Sequence, residues 1–324
     1  MITALGRRRL VCRKLSTPTT SSCYSITSFV FHAASQHRYN SSSIKLITPE
    51  GSWDSHMHVI EPSRYPFPQN ATVPKEASIA DAFTNARRLG LPNMVFVQIS
   101  GYGTNNTWIL EALKTHGGRG VVSFDPDNID VSTLQHWHDL GVRGVRLNLR
   151  SSKKEMSATE IQTVLRKYAD KLRPLKTWSI GLYADMAMLE HVQPIVRELG
   201  VKIVLEHFGS PAHLPLNTDN TPGWKAMCKM MEDPNVFVKI SGPYLFSHQN
   251  GKKDGFEDFE GLTKALLRMR NGEGVVFASD WPHTQSRGFD VMPFTEKCLE
   301  WCEGDRNLEN KLFRDDAKVL WDVN

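Results

Sequence analysis

The chain has 324 residues, with 39 Lys and Arg against 35 Asp and Glu. Seven of the basic side chains (Arg7, Arg8, Arg9, Arg13, Lys14, Arg38 and Lys45) precede Glu50, the first acid, so the rest carries 32 basic against 35 acidic groups and a net charge near −3. That balance, with no basic stripe interleaved with aromatics, leaves nucleic-acid binding without an electrostatic footprint, and no apolar stretch is long enough to span a bilayer.

Residues 1–49 are basic, acid-free and rich in Ser and Thr, the chemistry of a mitochondrial transit peptide, with a disordered tail as the other reading. The location expected is intracellular: the mitochondrial matrix if the segment is a leader, the cytoplasm if it is not. Cys228, Cys298 and Cys302 follow it without Cys-x-x-Cys spacing, which reads as reduced thiols.

Residues 50–324 are expected to form one domain. In chain order a strand is predicted over Trp53–Val59, a helix over Ser78–Leu89, a strand over Met94–Ser100, a helix over Asn106–His116 and a strand over Gly120–Phe124. A helix over Val131–Leu140, a strand over Val142–Leu149, a helix over Ala158–Lys171 and a strand over Ser179–Ala184 follow. The pattern continues with a helix over Met186–Leu199, strands over Val201–His207, Val236–Ser241 and Val275–Asp280, and helices over Gly223–Met231, Phe256–Arg270 and Pro293–Glu303. A last helix, around Asn307–Leu320, is expected to cap or flank the domain. Eight alternating units in this length predict an α/β fold of the TIM (β/α)8 barrel type rather than a doubly wound sheet. Long loops over 207–222 and 241–258 leave the C-terminal ends of their strands as candidate walls or lids.

Three polar strand ends stand out. His56-Met57-His58 places two imidazoles on one side of the first strand. Ile203-Val204-Leu205-Glu206-His207 ends the sixth strand on a histidine, and Val275-Val276-Phe277-Ala278-Ser279-Asp280 ends the eighth on an aspartate. In a parallel barrel such ends meet across one mouth, where active sites are assembled.

With these ends in place, and with Ser279-Asp280-Trp281-Pro282-His283, Ser100-Gly101-Tyr102-Gly103-Thr104-Asn105-Asn106, the strand-four run Gly141 to Asn148 and Val238-Lys239-Ile240-Ser241-Gly242, the sequence resembles the amidohydrolase superfamily. The branch it is most similar to contains the 2-pyrone-4,6-dicarboxylate lactonases, and the resemblance runs over about residues 50 to 324. It implies a hydrolase that opens a lactone or related cyclic ester: Asp280 activates water, and His56, His58 and His207 polarise the carbonyl. Substrate contacts are implied for Ser100, Arg146, Tyr183, Asn148 and His283. The partner expected is therefore a small cyclic ester or acid.

No cofactor is required by this reading. The alternative is one zinc or other divalent cation held by His56, His58, His207 and Asp280. A two-metal site is not expected, because strand four offers Arg146 and Asn148 rather than a lysine and strand five, Gly181 to Asp185, lacks a histidine. A metal-dependent decarboxylase of the same superfamily, acting on an aromatic or enoic acid, is the second reading, and a barrel without catalysis the third. One departure bears on the substrate. Where the dicarboxylate enzymes gather arginines, Ser152 and Leu245-Phe246 stand here, with Arg150 as partial compensation, so a neutral or mono-anionic ring is expected. Arg143 reads as structural, and His136 and His138, about 200° apart on a helix, as surface residues.

Overall fold

The computed structural model describes residues 47–69, 71–150, 156–248, 255–283 and 288–324. The leader or tail expectation, Ser152 and the loop tip Gly251-Lys252-Lys253-Asp254 lie outside the described residues, apart from 47–49. Thr48 belongs with the barrel, its hydroxyl lying 3.1 and 2.7 Å from the Leu89 and Gly90 carbonyls.

Eight strands, β1 (Trp53–Met57), β2 (Asn93–Val97), β3 (Arg119–Val122), β4 (Val142–Asn148), β5 (Ser179–Tyr183), β6 (Lys202–Leu205), β7 (Val236–Ile240) and β8 (Val275–Phe277), pair in parallel in chain order. The seam between β8 and β1 is closed by the residues just after β8: Asp280 donates its N–H to the His56 carbonyl at 2.9 Å, and the His58 N–H reaches the Trp281 carbonyl at 2.8 Å. Below these bonds Asp54 accepts the Ser279 N–H at 2.9 Å. The architecture is the TIM barrel expected.

Strand alternation separates the two cores. On β2, Val95 and Val97 fill the barrel while Met94 and Phe96 face the helices, and on β6 Val204 points inward between Ile203 and Leu205. The outer helices are α1 (Ile79–Leu89), α2 (Thr107–His116), α3 (Val131–Leu140), α4 (Ala158–Leu172), α5 (Leu189–Val192), α6 (Trp224–Met230), α7 (Glu257–Arg268) and α8 (Met292–Glu300). Helix α1 starts on a reciprocal Ser78–Asp81 capping box and stops at Gly90, whose φ of 76° is open to glycine at no steric cost.

Two expectations need correction. The helix predicted over Met186–Leu199 is broken into α5 flanked by 3-10 turns at Met186–Met188 and Gln193–Ile195, because Pro194 has no N–H to continue the ladder. The sixth and eighth strands end before His207 and Asp280, since both residues turn into the left-handed region, at φ 49° and 57°.

The chain closes the barrel's floor with α9 (Arg306–Asn310), a π turn over Lys311–Asp315 and α10 (Asp316–Trp321). Trp321 enters the interior core and donates from Nε1 to Ser55 Oγ at 3.1 Å. Arg119 Nε donates to the Trp321 carbonyl at 2.8 Å, Lys202 Nζ to the Leu320 carbonyl at 3.0 Å, and Arg143 Nε pairs with Asp322 at 3.1 Å. Arg143 is thus a floor anchor. Cys298 and Cys302 are buried packing residues with free thiols. Among the described residues no helix is long and apolar enough to cross a membrane.

Candidate active site

The strand ends meet at the mouth. His56 and His58 approach Nε2 to Nε2 at 3.2 Å, and Asp280 Oδ1 lies 3.4 Å from the first nitrogen and 3.7 Å from the second. The His207 ring is centred 5.0 Å from that of His56. Left-handed backbone at His207, Asp280 and His283 is uncommon for residues with a Cβ and marks a segment held in place by its surroundings. Gly242, at φ 62°, leaves room there: a Cβ would lie 3.0 Å from His207 Nδ1 and 3.3 Å from Asp280 Oδ2.

Above these groups opens a cavity of about 350 Å³, whose polar lining comes from His58, Ser100, Arg146, Asn148, Tyr183, His207, Tyr244 and Asp280. Its apolar wall is supplied by Ile99, Leu245 and Pro74. Arg146, Ser100 and Asn148 also face an adjoining space of about 210 Å³. Arg146 donates from Nη1 to the Gln98 carbonyl at 3.2 Å and lies 5.5 Å from the Tyr183 ring centre, and its Nε is buried without a partner among the described residues. A planar carboxylate would satisfy such a guanidinium.

Burial sets the protonation states. Desolvation, then the positive charges around it, hold His56 well below the ordinary imidazole value, and His58 is pushed to about 3 by the same two effects. His207 is likewise held well below, first by burial. All three rings are neutral near pH 7. Desolvation raises Asp280 to about 7 against the opposing hydrogen bond from Tyr244, whose hydroxyl donates to Oδ2 at 2.7 Å. A buried carboxylate titrating near neutrality is suited to general-base work.

Hydrogen-bond partners limit the tautomers. The Val97 carbonyl can only accept, so His58 Nδ1, 2.7 Å away, carries the hydrogen and Nε2 offers a lone pair. His207 Nδ1 lies 2.8 Å from Ser241 Oγ, which can take either role. Beneath His56 is a fully buried pair, Lys239 Nζ and Glu206 Oε1, 3.1 Å apart. Burial works against the charge on both, yet Glu206 is held below its ordinary value because Lys239 and Arg146 together outweigh desolvation. Gly181 makes space for this carboxylate, since a Cβ there would meet Glu206 Oε1 at 2.7 Å.

Several expected residues are placed differently. His56 is buried one layer below the cavity and does not line it, whereas His58, His207 and Asp280 do. His283 sits behind Tyr244, ring centres 5.5 Å apart, with Nε2 3.2 Å from the Ser279 carbonyl, so the expectation of substrate contact there is not met by the cavity's lining. Arg150 is engaged elsewhere, 3.1 Å from Asp185 and stacked at 4.8 Å on Phe246. His138 is no idle surface residue, because its Nδ1 accepts from the buried Trp178 indole at 3.1 Å. Sequence reasoning missed Tyr244 and gave Lys239 no role. Lys239 had a signal: it lies two residues after the inward-facing Phe237 on β7 and so shares its face.

A family model for amidohydrolases matches residues 53–319. The chain is 28% identical over 254 residues to a 2-pyrone-4,6-dicarboxylate hydrolase of Comamonas testosteroni, covering 76% of this chain and 80% of the relative. It is 25% identical over 260 residues to a 4-sulfomuconolactone hydrolase of Hydrogenophaga intermedia, covering 79% and 81%. The crystal structure of a Pseudomonas putida protein described as a 2-pyrone-4,6-dicarboxylic acid hydrolase superposes with a TM-score of 0.69 at 26% identity, over 84% of this chain and 97% of that one.

Proposed function

The chain belongs to the amidohydrolase family and is a hydrolase, and we propose that its reaction is the opening of a lactone or related cyclic ester. The observation that carries the reading is Asp280: a buried carboxylate in the cavity wall, with a proton affinity near neutrality, one oxygen held by Tyr244 and the other facing two neutral imidazoles. Water beside Asp280 gives it a proton as its oxygen bonds to the lactone carbonyl carbon. Negative charge then develops on the carbonyl oxygen, where the His207 N–H stabilises it. Collapse breaks the ring C–O bond, and the departing oxygen takes the proton back from Asp280, giving a ring-opened hydroxy acid or its tautomer. His58, with its lone pair toward the site, serves as an acceptor, and His207 is the histidine at the cavity placed to donate.

Arg146, Ser100 and Asn148 are the contacts for a substrate carboxylate, with Tyr183 beside them. Arg146 is the cationic residue in the cavity wall among the described residues. With Arg150 tied to Asp185, this supports a neutral or mono-anionic ring, because a second desolvated charge without a partner costs several kcal/mol.

The proposed reaction needs no cofactor. A divalent cation such as zinc nevertheless fits the donors, since ligand atoms of His56, His58 and Asp280 lie within 4.8 Å of one another, as do those of His56, Glu206 and His207. Bound there it would supply Lewis-acid polarisation of the carbonyl. The acid-free basic tail supports import into the mitochondrial matrix, with the cytoplasm as the location otherwise.

Asp280→Asn keeps the side chain's size and removes the base. We expect turnover of a lactone panel to fall by roughly 10² to 10⁴-fold with an unchanged circular dichroism spectrum. Wild-type-like turnover would defeat the assignment, and CO2 release from aromatic or enoic acids in place of ring opening would favour a decarboxylase.

A further inference from the structure

We propose that Lys239 is a positioning residue that fixes the tautomer of His56, holding its ring proton on Nε2, from which it is donated to His58 at the cavity wall. The inference rests on the hydrolytic reading above for its consequence, though not for its test.

His56 Nδ1 lies between a donor and an acceptor. Lys239 Nζ is 3.2 Å away in hydrogen-bonding geometry, and Glu206 Oε2 is nearer at 2.7 Å but out of line with the ring, so that this oxygen has no hydrogen-bond partner among the described residues. An ammonium can only donate, so a bond from Lys239 makes Nδ1 an acceptor and sends the single proton of the neutral ring to Nε2. The other side of the site agrees. His58 gives its Nδ1 hydrogen to the Val97 carbonyl, so its Nε2 is a bare lone pair, and it stands 3.2 Å from His56 Nε2. Were His56 protonated on Nδ1 instead, two lone pairs would face each other across that distance. One directed chain joins these groups, Lys239 to His56 Nδ1, His56 Nε2–H to His58 Nε2, His58 Nδ1–H to Val97 O, and leaves only the Glu206 Oε2 contact with Nδ1 at 2.7 Å without a hydrogen between its atoms. It begins at an obligate donor and ends at an obligate acceptor.

Lys239 is itself held by its surroundings. It is fully buried, its second N–H reaches Glu206 Oε1 at 3.1 Å, and its ammonium lies 5.4 Å from the centre of the Trp321 ring that plugs the floor. A lysine placed there for charge balance alone would need only Glu206. Its position against His56 gives it a second task, setting the polarity of the histidine pair next to Asp280. A cation taking the His56 Nε2 lone pair would reverse the assignment, moving the proton to Nδ1 toward Glu206 with no net proton gained or lost.

The test is long-range proton–nitrogen correlation of ring-labelled histidine in the full-length, chelator-treated protein, His56 being identified by the signals lost in His56→Gln. We expect the His56 pattern of a hydrogen on Nε2 and a bare Nδ1. In Lys239→Met the Nε2–H pattern should be lost and Nδ1 should become protonated, facing Glu206. A wild-type His56 carrying its proton on Nδ1, or a tautomer unmoved in Lys239→Met, would overturn the proposal. If Lys239→Met does not fold, the wild-type spectrum alone decides. Lactone turnover measured on the same wild-type sample keeps the two readings apart: an active enzyme with Nδ1–H sinks the tautomer assignment only, and an enzyme inactive on lactones with Nε2–H sinks the hydrolytic reading only.

Discussion

Tyr244→Phe removes one oxygen from the site and nothing else, which makes it the sharpest probe of how Asp280 is tuned. The phenol donates to Asp280 Oδ2 at 2.7 Å, a bond that favours the charged carboxylate, while burial acts in the opposite direction and leaves the group at about 7. A hydrogen bond to a charged group is worth about 1.5 to 3 kcal/mol, and each pKa unit corresponds to about 1.4 kcal/mol, so its loss should raise Asp280 by about one to two units. The base works ionised. Activity therefore rises with pH through the Asp280 pKa, and the acidic limb of kcat/KM for a turned-over lactone should lie near 7 in the wild type and move upward by that amount in the variant. Above the shifted limb the variant should regain most of the wild-type rate, since the nucleophile and the histidines are untouched. The assay is the pH profile of chelator-treated enzyme, with enzyme-free blanks to subtract spontaneous ring opening. An acidic limb that does not move, or a rate depressed equally at every pH, would show that Tyr244 shapes the cavity without setting the base.

Gly181→Ala places a methyl group 2.7 Å from Glu206 Oε1, and we expect kcat to fall at least about tenfold with little change in KM, because displacing a positioning group is costly to rate; unchanged kcat would show that the Glu206 carboxylate can move freely. Arg146→Ala should raise KM for a mono-acid lactone by about ten- to a hundredfold and barely affect its neutral analogue, and a wild-type preference for a di-acid in the same series would refute the single-anion reading of the pocket. Asp316 accepts from the Gly274 N–H at 3.1 Å through Oδ1 while Oδ2 is buried without a partner among the described residues, and burial raises it from 3.8 to about 6. The folded state thus holds the proton more tightly than the unfolded chain, so the group costs nothing below about pH 4, and stability is lost as pH rises through 6. Asp316→Asn should accordingly raise stability by about 3 kcal/mol at pH 8 and by well under about 1 kcal/mol at pH 4, read from urea melts; an equal effect at both values would refute the linkage.

Most of the barrel was legible because most strands are short apolar runs and the first three helices stop at a glycine, Gly90, Gly117 and Gly141. The histidine pair was legible for the same geometric reason, a spacing of two on an extended chain. What escaped the sequence lay where periodicity gives no guidance. Tyr244 sits on a 3-10 turn, Pro243–Leu245, after β7, and only the return of that turn over Asp280 gives the phenol a partner. Pro74 and Thr72 reach the cavity from the long connection between β1 and α1, whose path no local pattern predicts. His283 had a motif in its favour and still turned away, packing its ring against Phe289 at 4.8 Å. The broken helix after Met186 was readable from Pro194 and was overridden by its apolar spacing.

The same barrel interior treats its buried carboxylates differently, and that difference supports the roles proposed for them. Glu206 shares its depth with Lys239 at 3.1 Å and is held ionised, which fits a fixed negative charge below the reacting atoms. Asp54 is raised to about 6 by burial despite hydrogen bonds from Ser279 and His56, and it lies under the seam, where it ties β1 to the residues after β8. Asp280 has a single neutral donor, Tyr244, and no ammonium or guanidinium within salt-bridge distance among the described residues, so desolvation is least opposed there and its affinity for a proton is the highest of the three. A buried carboxylate that exchanges its proton near pH 7 and reaches the cavity is suited to take a proton from water and return it within a cycle. It is also the one of the three that lines the cavity, so the proton transfer proposed for it would take place at the wall, above the charge held by Glu206.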